Sequence, residues 1–342
     1  MDSCKLIDIA KKFNVSAMSV SNALNGRKGI SAAKAEAIRK YADEIGYRPA
    51  FMARSLVTNR TDIVGVCMRA NLGDPWAGTL IHKLQDELLS HHLHVHLILT
   101  DNNPEIEVWA LNFFNELRVD GVIVGPLDMP QYEKLEKLFK NLKHVVCFGS
   151  TAPLPCSHVK YDEYAGAWKA VDYLVKCKIT RIGHIGIRLK TPLNIAQDIY
   201  SRQAGFCDAV KAHGLPLKPE WILSAASEAP GEIEQQLDNF LSSGLERPEA
   251  WFFQSDTWAI RCYKVFQKHG LKIPRDVSVI GFDNNPIGEL VSPELTTVGF
   301  DNNAYAKQLT KFLLDGRPET SATPQSYVLQ PEIIERASVR KK

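Results

Sequence analysis

The stretch Leu6–Gly26 reads LIDIAKKFNVSAMSVSNALNG, and it decides how the rest of the chain is parsed. Leu6, Ile9, Ala10 and Phe13 recur at helical spacing, so its first half is a helix with one apolar face. Asn14-Val15 interrupts that helix. Ser16 is a good N-cap for a second short helix, whose apolar residues are Val20, Ala23 and Leu24. Asn25-Gly26 carries the turn chemistry that ends it. Ser31 can cap a third helix, from Ala32 to about Ile45, with Ala35, Ile38, Tyr41 and Ala42 on one face and Gly46 closing it. Pro49 starts a short fourth segment, Ala50 to Val57, and Thr58 to Thr61 is polar and reads as a linker. Two short helices joined by a tight turn and followed by a third form the helix-turn-helix plan.

Charge is distributed to match. The 342-residue chain carries a net charge of only +2. Its first 60 residues hold eleven basic and five acidic side chains, a local +6, which leaves −4 for the remainder. A small basic head on a mildly acidic body points to an anion-binding module fused to something else. The length suits about two domains of roughly 150 residues. Ordinary globular composition, 45% hydrophobic and 23% charged, excludes a wholly disordered or collagen-like protein.

From Asp62 the pattern changes. Short apolar runs, Ile63–Met68, Val95–Leu99, Gly121–Val124, Val145–Phe148, Ile182–Ile187, Trp251–Phe253 and Val277–Phe282, alternate with amphipathic segments such as Gly78–Ser90 and Ala165–Lys176. Continuous apolar runs are strands buried on both faces, and repeated strand–helix units make parallel sheets. There are too many strands for one small sheet, so two α/β lobes are expected. Ligands of such sheets bind beyond the carboxyl ends of the strands. Phe148-Gly149-Ser150, Ser255-Asp256 and Phe282-Asp283-Asn284-Asn285 each follow a strand.

In a helix-turn-helix the second helix enters the major groove with its first residues nearest the bases. Here these are Ser16, Ala17, Met18 and Ser19, with Asn22 one turn on. Asn can pair with adenine, and Ala or Met can pack on a thymine methyl. Arg27, Lys28 and Lys34 are placed to hold phosphates. The pattern alone also fits a three-helix protein-interaction module; the local +6 and the hydroxyl-rich second helix favour DNA.

The runs Leu6–Ala10 and Val15–Asn25, Ile45-Gly46-Tyr47-Arg48-Pro49 and Ala53-Arg54-Ser55-Leu56 resemble the head of LacI/GalR-family transcriptional regulators. The resemblance continues through Ile63-Val64-Gly65-Val66, Asp120-Gly121-Val122-Ile123, Arg181–Ile185, Val277–Asp283, Leu295-Thr296-Thr297-Val298 and Pro331–Ser338, in the family's order. It implies a helix-turn-helix head over residues 1–48, a hinge helix and linker over 49–61, and a bilobed, periplasmic-binding-protein-like body over 62–342 that binds effector and dimerises. It implies DNA contacts from Lys5, Ser16, Ala17, Met18, Ser19, Ser21, Asn22, Asn25, Arg27, Lys28, Ser31, Ala53, Arg54 and Leu56. Leu56 matches a leucine that wedges between base pairs in the minor groove, where kinking costs a few kcal/mol offset by added contacts. The family often has Arg where this chain has Asn22, which points to a divergent operator, and Asn where it has Ala50, which removes a phosphate contact.

The same resemblance puts an effector against Asp74, Trp76, Phe148, Arg202, Ser255, Asp256, Trp258 and Asp283. Trp76 suits stacking on a sugar or a base, or packing at a helix start. The planar fork of Arg202 suits hydroxyls or a carboxylate, or a surface ion pair. Asp256 equally suits holding the hinge between lobes. Gly149 stands where the family often has Asp, and Ser255 where some members have Asn. A sugar is the favoured effector, and a nucleobase also suits an aromatic face with a few polar groups.

No nucleophile elbow, Walker loop or zinc-protease motif occurs, so no enzyme activity and no cofactor are expected. His91, His92, His94 and His96 cluster without a carboxylate or Cys at ligand spacing, so no metal is expected. Seven scattered cysteines with no C-x-x-C pair read as buried free thiols of a cytoplasmic protein. No signal peptide or membrane span is expected. The expected protein is a cytoplasmic, homodimeric repressor that binds pseudo-palindromic double-stranded operator DNA under the control of a small molecule.

Overall fold

A computed structural model describes residues 6–24, 26, 28–47, 55, 58–68, 75–101, 103–125, 132–149, 156–187, 197–225, 231–316 and 323–341. Lys5, Asn25, Arg27, Ala53, Arg54, Leu56 and Asp74 lie outside the described residues. The chain divides into two compact units, Met1–Thr61 and Asp62–Lys342.

The first unit contains α1 (Leu6–Phe13), α2 (Ala17–Leu24) and α3 (Ala32–Glu44). Asn14 adopts a left-handed φ of 49°, and Val15 N–H returns to Ala10 O at 3.1 Å, which ends α1 where the sequence breaks. Ser16 Oγ accepts from Ser19 N–H at 3.1 Å and so caps α2. Ser31 holds the N-cap position of α3, but its side chain makes no capping bond. It is exposed, and water satisfies open N–H groups at such an end. The core is one cluster centred on Ile9, Val20, Ala23 and Ile38, edged by Phe13 and Tyr41 at a ring separation of 5.7 Å. Arg39 donates to Ala23 O at 3.0 Å, tying α3 to the end of α2.

The second unit runs β1 (Ile63–Met68), α4 (Pro75–Ser90), β2 (His94–Leu99), α5 (Pro104–Glu116), β3 (Gly121–Val124), α6 (Tyr132–Phe139), β4 (Val145–Phe148), β5 (Ser157–Tyr161), α7 (Glu163–Lys176), β6 (Ile182–Ile187), α8 (Gln197–Ala212), β7 (Ile222–Ala225), α9 (Glu232–Ser242), β8 (Ala250–Phe253), α10 (Asp256–Lys268), β9 (Ser278–Phe282), β10 (Thr296–Gly299), α11 (Asn302–Asp315), β11 (Ser326–Leu329) and β12 (Glu332–Ile334). Two six-stranded sheets result, ordered β11-β5-β4-β3-β1-β2 and β12-β10-β9-β8-β6-β7. Among the described residues all strand pairings are parallel except β10–β12.

The central strands of each sheet are buried on both faces, as their apolar runs require. β1 sends Val64, Val66 and Met68 into one core and Cys67 into the core behind it. In the second sheet Ile185 and Val279 face one cluster while Ile182, Ile280 and Phe282 face the other. The chain passes between the sheets three times: after β5, after β10 and after β11. These crossings collect the carboxyl ends of β5, β8, β9 and β10 around a common region.

Candidate functional site

On the head, α2 separates its faces cleanly. Val20 and Ala23 are buried, whereas Ser16, Ala17 and Met18 are exposed, Met18 at 67%. Ser19, Ser21 and Asn22 are half-buried beside them, and Lys28 and Ser31 stand exposed on the following loop. A large exposed apolar side chain among hydroxyls, on a helix whose other face is locked into a core, suits a base-reading surface. Not every cation of the head is available for this. Arg39 pairs with Glu36 at 2.7 Å as well as binding Ala23 O.

In the body the side chains converge on Arg202, on the first turns of α8. Its guanidinium forms a bidentate pair with Glu163, donates to Gln254 O, and lies 3.0 Å from Asp283 Oδ1. It also stacks at 3.8 Å over the Phe282 ring. Glu163 is delivered at the start of α7, which Asp162 caps by accepting from Ala165 N–H at 3.0 Å. Gln254 follows β8 and Asp283 follows β9. One cation thus joins two helices and two strand ends, and two carboxylates flank it. Arg202 is an ion-paired residue, and a largely buried one, at 14% side-chain exposure.

The Asp283 turn is strained and held from below. Asp283 has φ 102° and Asn284 φ 48°, both left-handed. Asp283 N–H donates to Val298 O at 2.8 Å, and Arg336 donates to Asn284 Oδ1 at 2.9 Å. Beneath them Asp256 is fully buried. It accepts from Asn285 N–H at 2.7 Å and from Thr297 Oγ1 at 2.6 Å. Burial outweighs these donors and pushes the Asp256 carboxyl up to about 7. Both oxygens of Asp256 are engaged inside the second lobe, so it supports the turn that presents Asp283.

Aromatic rings connect the two lobes. Trp76, on α4, meets Tyr161 edge-on at 6.2 Å; Tyr161 packs on Phe300 at 4.2 Å; Phe300 meets Phe282 at 5.8 Å. Phe282 is the ring under Arg202. Phe148 and Trp258 are buried in the cores of the first and second lobes respectively. Ser255 stands half-buried at the N-cap of α10 without a capping bond. Among the described residues no three His, Cys, Asp or Glu side chains form a metal-binding group. His96 packs its ring on Phe113 and Phe114 instead.

Residues 5–50 match the family described as bacterial regulatory proteins, lacI family, and residues 171–339 match the periplasmic binding protein-like domain. The chain belongs to the LacI family. It is a DNA-binding transcriptional regulator with an effector-binding body. The NTD biosynthesis operon regulator NtdR of Bacillus subtilis (strain 168) is 29% identical over 297 residues, 85% of each chain. The HTH-type transcriptional repressor PurR of Aliivibrio fischeri (strain MJ11) is 27% identical over 336 residues, 97% of each chain. The fold is that of the lac repressor dimer bound to operator and the anti-inducer ONPF, with a TM-score of 0.86 at 19% identity, covering 98% of this chain and 99% of that one.

Within this LacI-family body, Glu163, Gln254, Tyr161 and Phe300 escape a sequence reading. Glu163 looks like an ordinary first-turn acid, favourable at any helix start. The signal that marks it is its apolar setting: a glutamate 7% exposed requires a partner. No described helix is long and apolar enough to cross a membrane.

Proposed function

We propose that this LacI-family regulator is a cytoplasmic homodimeric repressor, not an enzyme, and that a neutral sugar bound in its body changes its affinity for a pseudo-palindromic operator. Ser16, Ala17, Met18, Ser19, Ser21 and Asn22 read the major groove, and Lys5, Asn25, Arg27, Lys28 and Ser31 fix the register on phosphates. Ala53, Arg54 and Leu56 engage the minor groove at the operator centre. Two-fold symmetry of the dimer matches the two half-sites.

The sugar reading rests on one observation: Arg202 lies between Glu163 and Asp283. Two carboxylates around one guanidinium repel an anionic ligand and accept hydrogen bonds from hydroxyls, while Arg202 donates to ring or hydroxyl oxygens. Trp76 supplies an apolar face. Asp74, Phe148, Ser255 and Trp258 complete the proposed lining, with Asp256 acting through the Asp283 turn. The ring series from Trp76 to Phe282 also favours a second reading, a nucleobase.

A thermal-shift screen separates the two, because a ligand that binds only the folded state raises the melting temperature. Neutral mono- and disaccharides are expected to give the shifts, with nucleobases and sugar phosphates giving none. The hit is then expected to change operator affinity in a gel shift, with a coupling of about 1–3 kcal/mol. A shift from nucleobases alone replaces the sugar with the second reading.

A further inference from the structure

The first lobe carries a pair of thiols that transcription and effector binding leave unexplained. Cys147, on β4, and Cys156, which immediately precedes β5, place their sulfurs 3.0 Å apart although they are nine residues apart in sequence. Both are free and buried. β4 and β5 are hydrogen-bonded neighbours with Val146 opposite Ser157, so the sheet itself holds the two thiols on one face. Closing a disulfide from this separation needs about 1 Å of sulfur movement, since the bond is about 2.05 Å long.

The two thiols differ in access. Cys156 lines a cavity of about 310 Å³ whose other walls include Phe139, His144, Ser157 and Phe312. Cys147 shares the apolar cluster of Cys156, with Cys67, Phe114 and Phe139, but is only 1% exposed against 8% for Cys156 and does not line the cavity. Burial pushes the Cys147 thiol well above the usual thiol range, so Cys147 stays protonated and is slow to react first.

We infer that Cys147 and Cys156 form a reversible redox site, in which hydrogen peroxide entering the cavity oxidises Cys156 and Cys147 resolves it as an intramolecular disulfide. Cys156 Sγ attacks one peroxide oxygen, the O–O bond breaks, and the departing hydroxide takes the thiol proton and leaves as water. The product is a sulfenic acid on Cys156. Cys147 Sγ then bonds to Cys156 Sγ, the S–O bond breaks, and the second oxygen leaves as water with the Cys147 proton. Two thiols are oxidised and one peroxide is reduced to two waters. A dithiol reductant reverses the bond by thiol–disulfide exchange. The covalent tie joins the end of β4, where Phe148 sits, to the start of β5.

The test treats the full-length protein with hydrogen peroxide, counts thiols after denaturation, and maps cysteine-containing peptides by mass spectrometry. The wild-type count is expected to fall by two from seven, with Cys147 linked to Cys156 within one chain, and to return with dithiothreitol. Cys147→Ala is expected to stop at a sulfenic acid on Cys156 that dimedone traps, and Cys156→Ala to lose no thiol pair. Retention of all thiols, a bond between chains only, or loss of a pair in Cys156→Ala overturns the inference. The wild-type map decides it even where a variant fails to fold.

Discussion

The Oδ1 atom of Asp256 stands 2.0 Å from the point where a Cβ on Gly281 would lie. Gly281 is therefore the residue that admits the Asp256 carboxylate under the Asp283 turn. Gly281→Ala forces that carboxylate away from Thr297 and Asn285. Overpacking of this kind costs about 1–3 kcal/mol. Urea unfolding is expected to show that loss, and effector affinity is expected to fall with it because Asp283 loses its support.

Asp256 and His184 make stability depend on pH in opposite directions. The folded-state carboxyl of Asp256 titrates at about 7, above its ordinary value of 3.8. Its contribution is therefore full below about 4 and is lost as pH rises towards 7. His184, fully buried against Phe206 and Phe252, is pushed down to about 3 by burial, from 6.5. Its contribution is full above 6.5 and is lost as pH falls. Asp256→Asn removes the first dependence alone. Between pH 4.5 and 7 its stability is expected to rise with pH more steeply than that of the wild type. Parallel urea midpoints for the two proteins would refute this.

Arg202 and Glu163 are a buried pair, and removing one member strands the other. Arg202→Ala is expected to destabilise by about 3–5 kcal/mol. Adding Glu163→Gln removes the stranded charge and is expected to recover part of that loss. Neither protein is expected to respond to effector, since the fork is gone from both. A single Arg202→Ala variant as stable as wild type would mean that solvent screens the pair.

On the head, Met18→Ala and Val20→Ala separate reading from folding. Met18 is exposed and its truncation is expected to change stability by less than about 0.5 kcal/mol while weakening the operator complex. Val20 is fully buried, and its truncation is expected to cost about 2 kcal/mol. Circular dichroism melts and gel shifts on both variants check the division.

Operator affinity is expected to fall steeply with salt, as counterions released from phosphates are recaptured. Lys28→Ala is expected to lower the logarithmic salt slope by about one, uniformly across operator sequences. A slope unchanged in this variant would remove Lys28 from the phosphate contacts.

The strands that announce themselves in the sequence are those buried on both faces. Ile63–Met68, Gly121–Val124, Val145–Phe148 and Ile182–Ile187 have the expected bounds. β5 is harder to see because Ser157–Tyr161 mixes polar residues into a half-covered strand. β10 hides because its buried Thr296 and Thr297 serve hydrogen bonds to Ser338, Arg336 and Asp256. β11 and β12 are short edge strands whose partners lie far off in sequence. In the site, Arg202 and Asp283 are legible from the family pattern, and their contact is not. Glu163 is 39 residues from Arg202, and nothing in either local sequence signals the pairing.

The last two strands have a consequence for synthesis. β11 closes an edge of the first sheet and β12 an edge of the second, so neither sheet is complete until the ribosome has passed residue 334. Among the described residues the head's core is drawn from residues 6–47. Domains generally fold as units in order of emergence, so each nascent chain has a folded head well before it has a finished sensor. A chain halted late in translation carries a finished head beside an unfinished sensor.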